Sequence, residues 1–229
     1  ADTRLTNTPS FSNDPSVSVS GSVVHVVWTD FPDGQGEIYH KRSTDGGISW
    51  GADTRLTNNP AFSEFSSVAV SGSVVHVVWY DFRDGNLEIY YKRSTDAGIS
   101  WEADTRLTNN SGSSRLPSIS VSGSVVHVVW YDNRDRNFGI YYEIYYKRST
   151  DGGVSWGADT RLTNNPAGSG VASVAVSGSV VHVVWQDLRD GNAEIYYKCS
   201  TDGGVSWGAD TRLTNNSGNS YSPSVTISG

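Results

Sequence analysis

The chain has 229 residues, 36% of them hydrophobic and 11% aromatic, with 24 glycines, no methionine and a formal charge of −7. That length suffices for one large all-β domain or two small ones, and no run approaches the 18 consecutive apolar residues of a membrane-spanning helix. Lysine and arginine recur at fixed repeat positions next to acids instead of forming a basic block, which argues against a nucleic-acid or anionic-membrane partner.

Ala1 opens the chain without a basic-then-apolar leader, the pattern expected of a mature chain or an excised fragment. ADTRLTN then begins at Ala1, Ala52, Ala103, Ala158 and Ala209, at spacings of 51, 51, 55 and 51 residues. SVVHVVW recurs unchanged at 22–28, 73–79, 124–130 and 179–185. Four full periods are followed by 209–229, which restart the repeat in the register of residues 1–21.

Each repeat parses into four strands. In the first, Ser16–Ser20 alternates, Gly21-Ser22 turns the chain, and Val23–Trp28 is a valine-rich run. A cluster of Asp, Gly and Pro at 30–36 leads to a third strand, Glu37–Arg42, and the segment 50–58 supplies a fourth. Val, Ile, Tyr, Thr and Trp between closely spaced turn signals indicate strands, and no segment carries a 3.6-residue apolar period. Four antiparallel strands in a repeat of roughly 50 residues predict an all-β fold, a β-propeller of four-stranded blades in a single domain spanning 1–229. Four blades are complete, and a partial fifth repeat remains. A four-bladed ring leaves a copy spare. A five-bladed ring lacks two middle strands unless a second chain supplies them, so closure within the chain and closure by a homo-oligomer both stay open.

The third and fourth strands are joined by STDGGISW (Ser43–Trp50), STDAGISW (Ser94–Trp101) and two copies of STDGGVSW (Ser149–Trp156 and Ser200–Trp207). This S-x-D-x-G-x-x-W pattern resembles the Asp-box, or bacterial neuraminidase repeat, of the sialidase-like propeller superfamily. The resemblance covers essentially the whole chain. It implies that Asp45, Asp96, Asp151 and Asp202, with Trp50, Trp101, Trp156 and Trp207, are structural staples on the face opposite an active site. It further implies a secreted or cell-surface protein. The residues agree: Asp can accept hydrogen bonds from the backbone of its own turn, and glycine permits positive φ.

The strands are nearly invariant between copies, whereas the loops between blades differ and bring Phe11, Phe62, Phe65, Arg115 and Tyr221 to one face. The position after the conserved Trp also varies, as Thr29, Tyr80, Tyr131 and Gln186. Such variation suits either a binding surface or drift in tolerant loops. Arg83, Arg134 and Arg189 stand at equivalent points of the second-to-third strand loops, where they suit a sugar carboxylate or, more simply, ion pairs with neighbours such as Asp81 and Asp84. Asp81, Asp84, Asn86 and Glu88 also form an oxygen set suited to calcium, although their spacing is not that of an EF-hand. The third repeat has four extra residues, which predicts a longer hairpin carrying Tyr141 and Tyr142. His25, His76, His127 and His182 lie between valines and read as satisfied interior histidines, and His40 replaces a tyrosine of the other copies. Cys199 replaces Arg42, Arg93 and Arg148 and leaves no partner for an internal disulfide.

A sialidase needs an asymmetric set of groups drawn from different blades, whereas near-identical blades supply the same groups repeatedly. No cofactor is expected. The sequence therefore favours a non-catalytic, lectin-like propeller whose partners are glycans, bound through Tyr80, Arg83, Tyr131, Arg134, Gln186 and Arg189. An oligomerising structural scaffold and a sialidase-like glycoside hydrolase are the alternatives.

Overall fold

The computed structural model describes residues 2–135 and 142–227. They form two compact units, Ala1–Asn109 and Asn110–Gly229, each with two four-stranded antiparallel sheets in simple meander order. The first unit holds β1 (Ser12–Ser20), β2 (Val23–Asp30), β3 (Glu37–Ser43) and β4 (Thr54–Arg55), then β5 (Ser63–Ser71), β6 (Val74–Asp81), β7 (Glu88–Ser94) and β8 (Thr105–Arg106). The second holds β9 (Ser114–Ser122), β10 (Val125–Asp132), β11 (Glu143–Ser149) and β12 (Thr160–Arg161), then β13 (Ser169–Ser177), β14 (Val180–Asp187), β15 (Glu194–Ser200) and β16 (Thr211–Arg212). These sheets are β-propeller blades. Among the described residues no helix is long and apolar enough to cross a membrane.

The valine runs become second strands because the sheets stack face to face and bury both sides of them. In the first unit, Val27 and Ile38 of one sheet pack with Val75, Val77 and Trp79 of the next. Val129 and Ile144 meet Val181, Val183 and Trp185 in the same way in the second. Each of Trp79, Trp130 and Trp185 is fully buried, and its indole N–H donates to the carboxylate two residues on, at 3.0, 3.1 and 2.8 Å. A residue and its second neighbour share one strand face, so the spacing W-x-D satisfies the buried indole within the strand.

Two boundaries differ from the sequence-based expectation. The first strand begins at Ser12 instead of Ser16, because a bulge with Asp14 in the left-handed region (φ 51°) lets the ladder resume after a register shift. The fourth strand shrinks to the ladder pairs of Thr54 and Arg55 with His40 and Tyr39. Isolated bonds at Gly51 and Leu56 hold its flanks. Beyond β16 the described residues of the last repeat form no ladder. Even so, Val225 N–H donates to Ser173 Oγ at 3.2 Å, matching Val174 to Ser118 and Val68 to Ser16.

The STDGG turns act as clamps. Asp45 accepts the Ser49 N–H and hydroxyl at 2.9 and 2.6 Å and the Ser43 hydroxyl at 2.7 Å, and these bonds hold its carboxyl at about 2. Ser43 Oγ in turn accepts the Gly47 N–H, while the Trp50 indole donates to the Gly47 carbonyl. The same serine–aspartate bonds recur at Asp96, Asp151 and Asp202. A turn also grips the preceding sheet of its unit. Arg42 donates to the Ala97 carbonyl and His40 meets Trp101 edge-on at 5.0 Å. Arg148 donates to the Gly203 carbonyl, and Tyr146 meets Trp207 edge-on at 4.9 Å. Gly204 has φ +82°, and a Cβ there would lie 1.9 Å from the Tyr146 hydroxyl, so only glycine allows this approach.

Candidate functional site

Every first strand bends at the same place. Phe65 (φ 55°), Leu116 (44°) and Val171 (47°) repeat the left-handed conformation of Asp14. It is sparsely populated for non-glycine residues and least of all suits a β-branched one. The bulge breaks the alternation of the strand just where the loops between blades enter it, and the variable positions of the sequence gather around it.

In the second unit this region contains a pocket of about 210 Å³. Tyr131 and Tyr142 of one blade form one wall, and Gly168, Gly170, Val171, Gln186 and Leu188 of the next form the other. The two tyrosine rings meet edge to face at 4.7 Å. Arg115 pairs with Tyr131 across β9 and β10. Its guanidinium lies 5.8 Å from the centre of the Tyr142 ring. Burial raises the Tyr131 hydroxyl above its ordinary value, with Arg115 pulling the other way, so the hydroxyl keeps its proton and serves as donor and acceptor at neutral pH.

The first unit fills the corresponding place. Phe65 stacks on Tyr80 at 5.4 Å, Tyr80 donates to Glu64 at 2.8 Å, and Phe62 stacks on Phe82 at 5.2 Å. What stays open is a groove of about 350 Å³ beside this cluster, walled by Phe31, Phe62, Phe82, Glu64 and the 34–36 turn.

Of the residues expected to bind a ligand, Tyr131 and Gln186 thus line one pocket, and Tyr80 belongs to the filled cluster of the other unit. The three arginines are each engaged by carboxylates of their own blade. Arg83 donates to Asp81 at 2.6 Å and Asp104 at 2.8 Å, with its guanidinium 4.2 Å above the Tyr90 ring. Arg134 is held by Asp132, Asp159 and Tyr145, and Arg189 by Asp187, Asp210 and Tyr196. The ion-pair reading holds, although the second partner is the aspartate just before the outer strand and not the neighbouring Asp84.

The four oxygen-bearing residues considered for calcium also have protein partners. Asp81 holds Arg83, Asp84 accepts the Tyr90 hydroxyl, Asn86 donates to Glu88, and Glu88 accepts Arg106. Among the described residues, no group of three or more His, Cys, Asp or Glu is arranged to hold a metal. The interior histidines pair inward. His76, His127 and His182 each meet a tyrosine hydroxyl at 2.7–2.8 Å, and His25 meets His40 at 3.1 Å. Tyr141 lies outside the described residues, whereas Tyr142 contributes a pocket wall. Gly168 and Gly170 escaped the sequence reading, although their alignment with Phe62 and Glu64 shows where space opens.

No family model matches the chain, and no curated protein matches it by sequence. Solved structures do. A Trypanosoma rangeli sialidase in complex with 2,3-difluorosialic acid superposes with TM-score 0.64 at 15% identity, covering 86% of this chain and 37% of that one. A point mutant of the NanB sialidase from Streptococcus pneumoniae gives 0.65 at 12% identity, covering 90% of this chain and 52% of its own. The chain has the sialidase-like β-propeller fold. The GH93 α-L-arabinofuranosidase of Fusarium graminearum, in complex with arabinobiose, shares this sialidase-like fold at TM-score 0.65 and 17% identity, over 91% of this chain and 68% of its own. The chain spans about a third to a half of the length of the sialidase chains it resembles.

Proposed function

We propose that this sialidase-like propeller is a non-catalytic carbohydrate-binding protein, and that the second-unit pocket takes one sugar ring of a glycan. The carrying observation is the composition of its wall. Two tyrosine rings offer apolar faces, while Gln186, the Tyr131 hydroxyl and the nearby Arg115 offer donors and acceptors, and two glycines leave the room. A volume of about 210 Å³ lies below the range of drug-sized sites and suits a single ring. None of the lining residues is a carboxylic acid. Asp187, behind Ser169, is committed to Arg189 and Trp185. Even a sialidase-type site, whose nucleophile is a tyrosine, needs a carboxylate partner and a separate acid, and the lining supplies neither, which favours binding over turnover here. The reading suits a secreted or cell-surface protein.

A glycan array with sialylated, fucosylated and neutral glycans tests it, followed by titration of the best ligand. Tyr131→Ala and Gln186→Ala are expected to weaken binding at least tenfold without lowering the melting temperature by more than a few degrees. Unchanged binding in both variants removes this pocket from the proposal. Turnover of sialoside or arabinoside substrates by the wild type replaces it with the hydrolase reading, which the fold of the sialidase and arabinofuranosidase neighbours keeps in view.

A further inference from the structure

Three blades build the same small cage and fill it themselves. A guanidinium carbon lies 4.2–4.3 Å from the centre of a tyrosine ring, and the group bridges the carboxylate that ends the second strand to the aspartate just before the outer strand. The first blade keeps the cage and lacks the occupant, because Pro32 stands where the others have arginine. Its parts are Tyr39, stacked on Trp28 at 5.9 Å, with Asp30 and Asp53.

The exposures record the missing cation. Tyr39 is half-buried, whereas Tyr90, Tyr145 and Tyr196 are only 5–6% exposed. The Asp53 side chain is 34% exposed against 19–21% for its three counterparts. Lys41 takes one Asp53 oxygen at 2.8 Å, as Lys92 does with Asp104. The other oxygen, which receives arginine in the sister blades, has no protein partner among the described residues. Asp30 stays buried, with the Thr8, Ser10 and Ser12 hydroxyls gathered on it. Around this cage, among the described residues, Asp30, Asp33, Glu37 and Asp53 are served by Lys41 and Arg55 alone, while each sister blade sets a third cation against the equivalent four carboxylates.

We propose that the first blade carries a binding site for an external guanidinium group, seated over Tyr39 with one edge on the free oxygen of Asp53. Flat stacking and a planar donor edge favour guanidinium over ammonium. The site is distinct from the sugar pocket and independent of the proposed lectin role. The three filled cages show what these residue types hold when nothing blocks them.

The test is a titration of the whole chain with agmatine, followed by NMR of the Tyr39 ring signals. The equally long diamine cadaverine and a short acetylated arginyl peptide form the other arms. Agmatine is expected to bind in the millimolar range, at least fivefold tighter than cadaverine, and to weaken with added salt. Pro32→Arg supplies the blade's own guanidinium in an exposed loop. It is expected to raise the melting temperature and to abolish agmatine binding, and Asp53→Asn should weaken binding about tenfold. Tighter binding of the peptide identifies the natural occupant as an arginine side chain, and tighter binding of agmatine a free small cation. Absence of any Tyr39 response to agmatine and the peptide, or an equal response in Pro32→Arg, overturns the proposal.

Discussion

The two units build their clefts between blades on one frame and use them differently. Both place a left-handed bulge residue beside the variable position after the conserved tryptophan. In the first unit Phe65 answers its unfavourable backbone by stacking on Tyr80. In the second, Val171 bears the same conformation with glycine on either side of Ser169, and a pocket results. The backbone is therefore constant while side-chain volume decides between core and cavity. A strained position is retained in both, and in the second unit it lines a space that a ligand can enter.

Acidification should separate the units most. Burial, aided by neighbouring arginines, lowers His76 and His127 to about 4, and His25 and His40 to about 4 and about 3. A histidine whose folded value lies below its unfolded value of 6.5 is protonated first in the unfolded chain. Its stabilising contribution is full above about 6.5 and drains as the pH falls toward about 4. The first unit carries three of these four groups, so its amides should lose hydrogen-exchange protection before those of the second as the pH drops from 7 to 4. Equal loss in both units would contradict this.

Removing the first unit's filler comes next. Phe65→Ala deletes a partly buried ring and should cost about 2 kcal/mol in urea unfolding, while opening a recess beside Tyr80. A cost below about 0.5 kcal/mol would mean that the ring adds little to the packing. A smaller effect follows from the reverse exchange. Gly170→Glu places the first unit's carboxylate in the second unit's pocket, where a Cβ meets nothing within 4 Å. Sugar binding should fall at least tenfold, about 1.4 kcal/mol, with little change in stability. Retained binding would show that the ligand sits elsewhere. Smallest is Val171→Asn, which exchanges a β-branched residue at positive φ for one that tolerates it and should stabilise by about 1 kcal/mol. The natural Asp14 shows that a short polar side chain is accepted there.

Much of the fold could be read directly from the repeats. The near-identical repeats point to four-stranded blades, and the W-x-D spacing and the DGG turns each state a local bonding pattern. The bulge could not be read, because Asp14, Phe65, Leu116, Val171 and Ser222 share a conformation and no chemistry. It recurs at Ser222, beyond the last ladder, so it belongs to the repeat's backbone path and not to one side chain. The site was half legible for the same reason. Variation pointed to Tyr131 and Gln186, but glycines give no positive signal, and the pocket exists because of what Gly168 and Gly170 omit. The arginines' second partner was not legible because it lies about 20 residues away in sequence, just before the outer strand.

The clamp between turn and preceding sheet has a consequence for how such a chain grows. One repeat carries both halves of the junction: an arginine and a ring on its third strand, and a receiving carbonyl and tryptophan in its turn. Duplicating a whole repeat copies plug and socket together, so each new copy fits its neighbour without a compensating change. Lengths that are multiples of one repeat are then accessible in single steps. Cys199, which lacks the arginine's reach, marks a plug through which a further copy would dock more weakly.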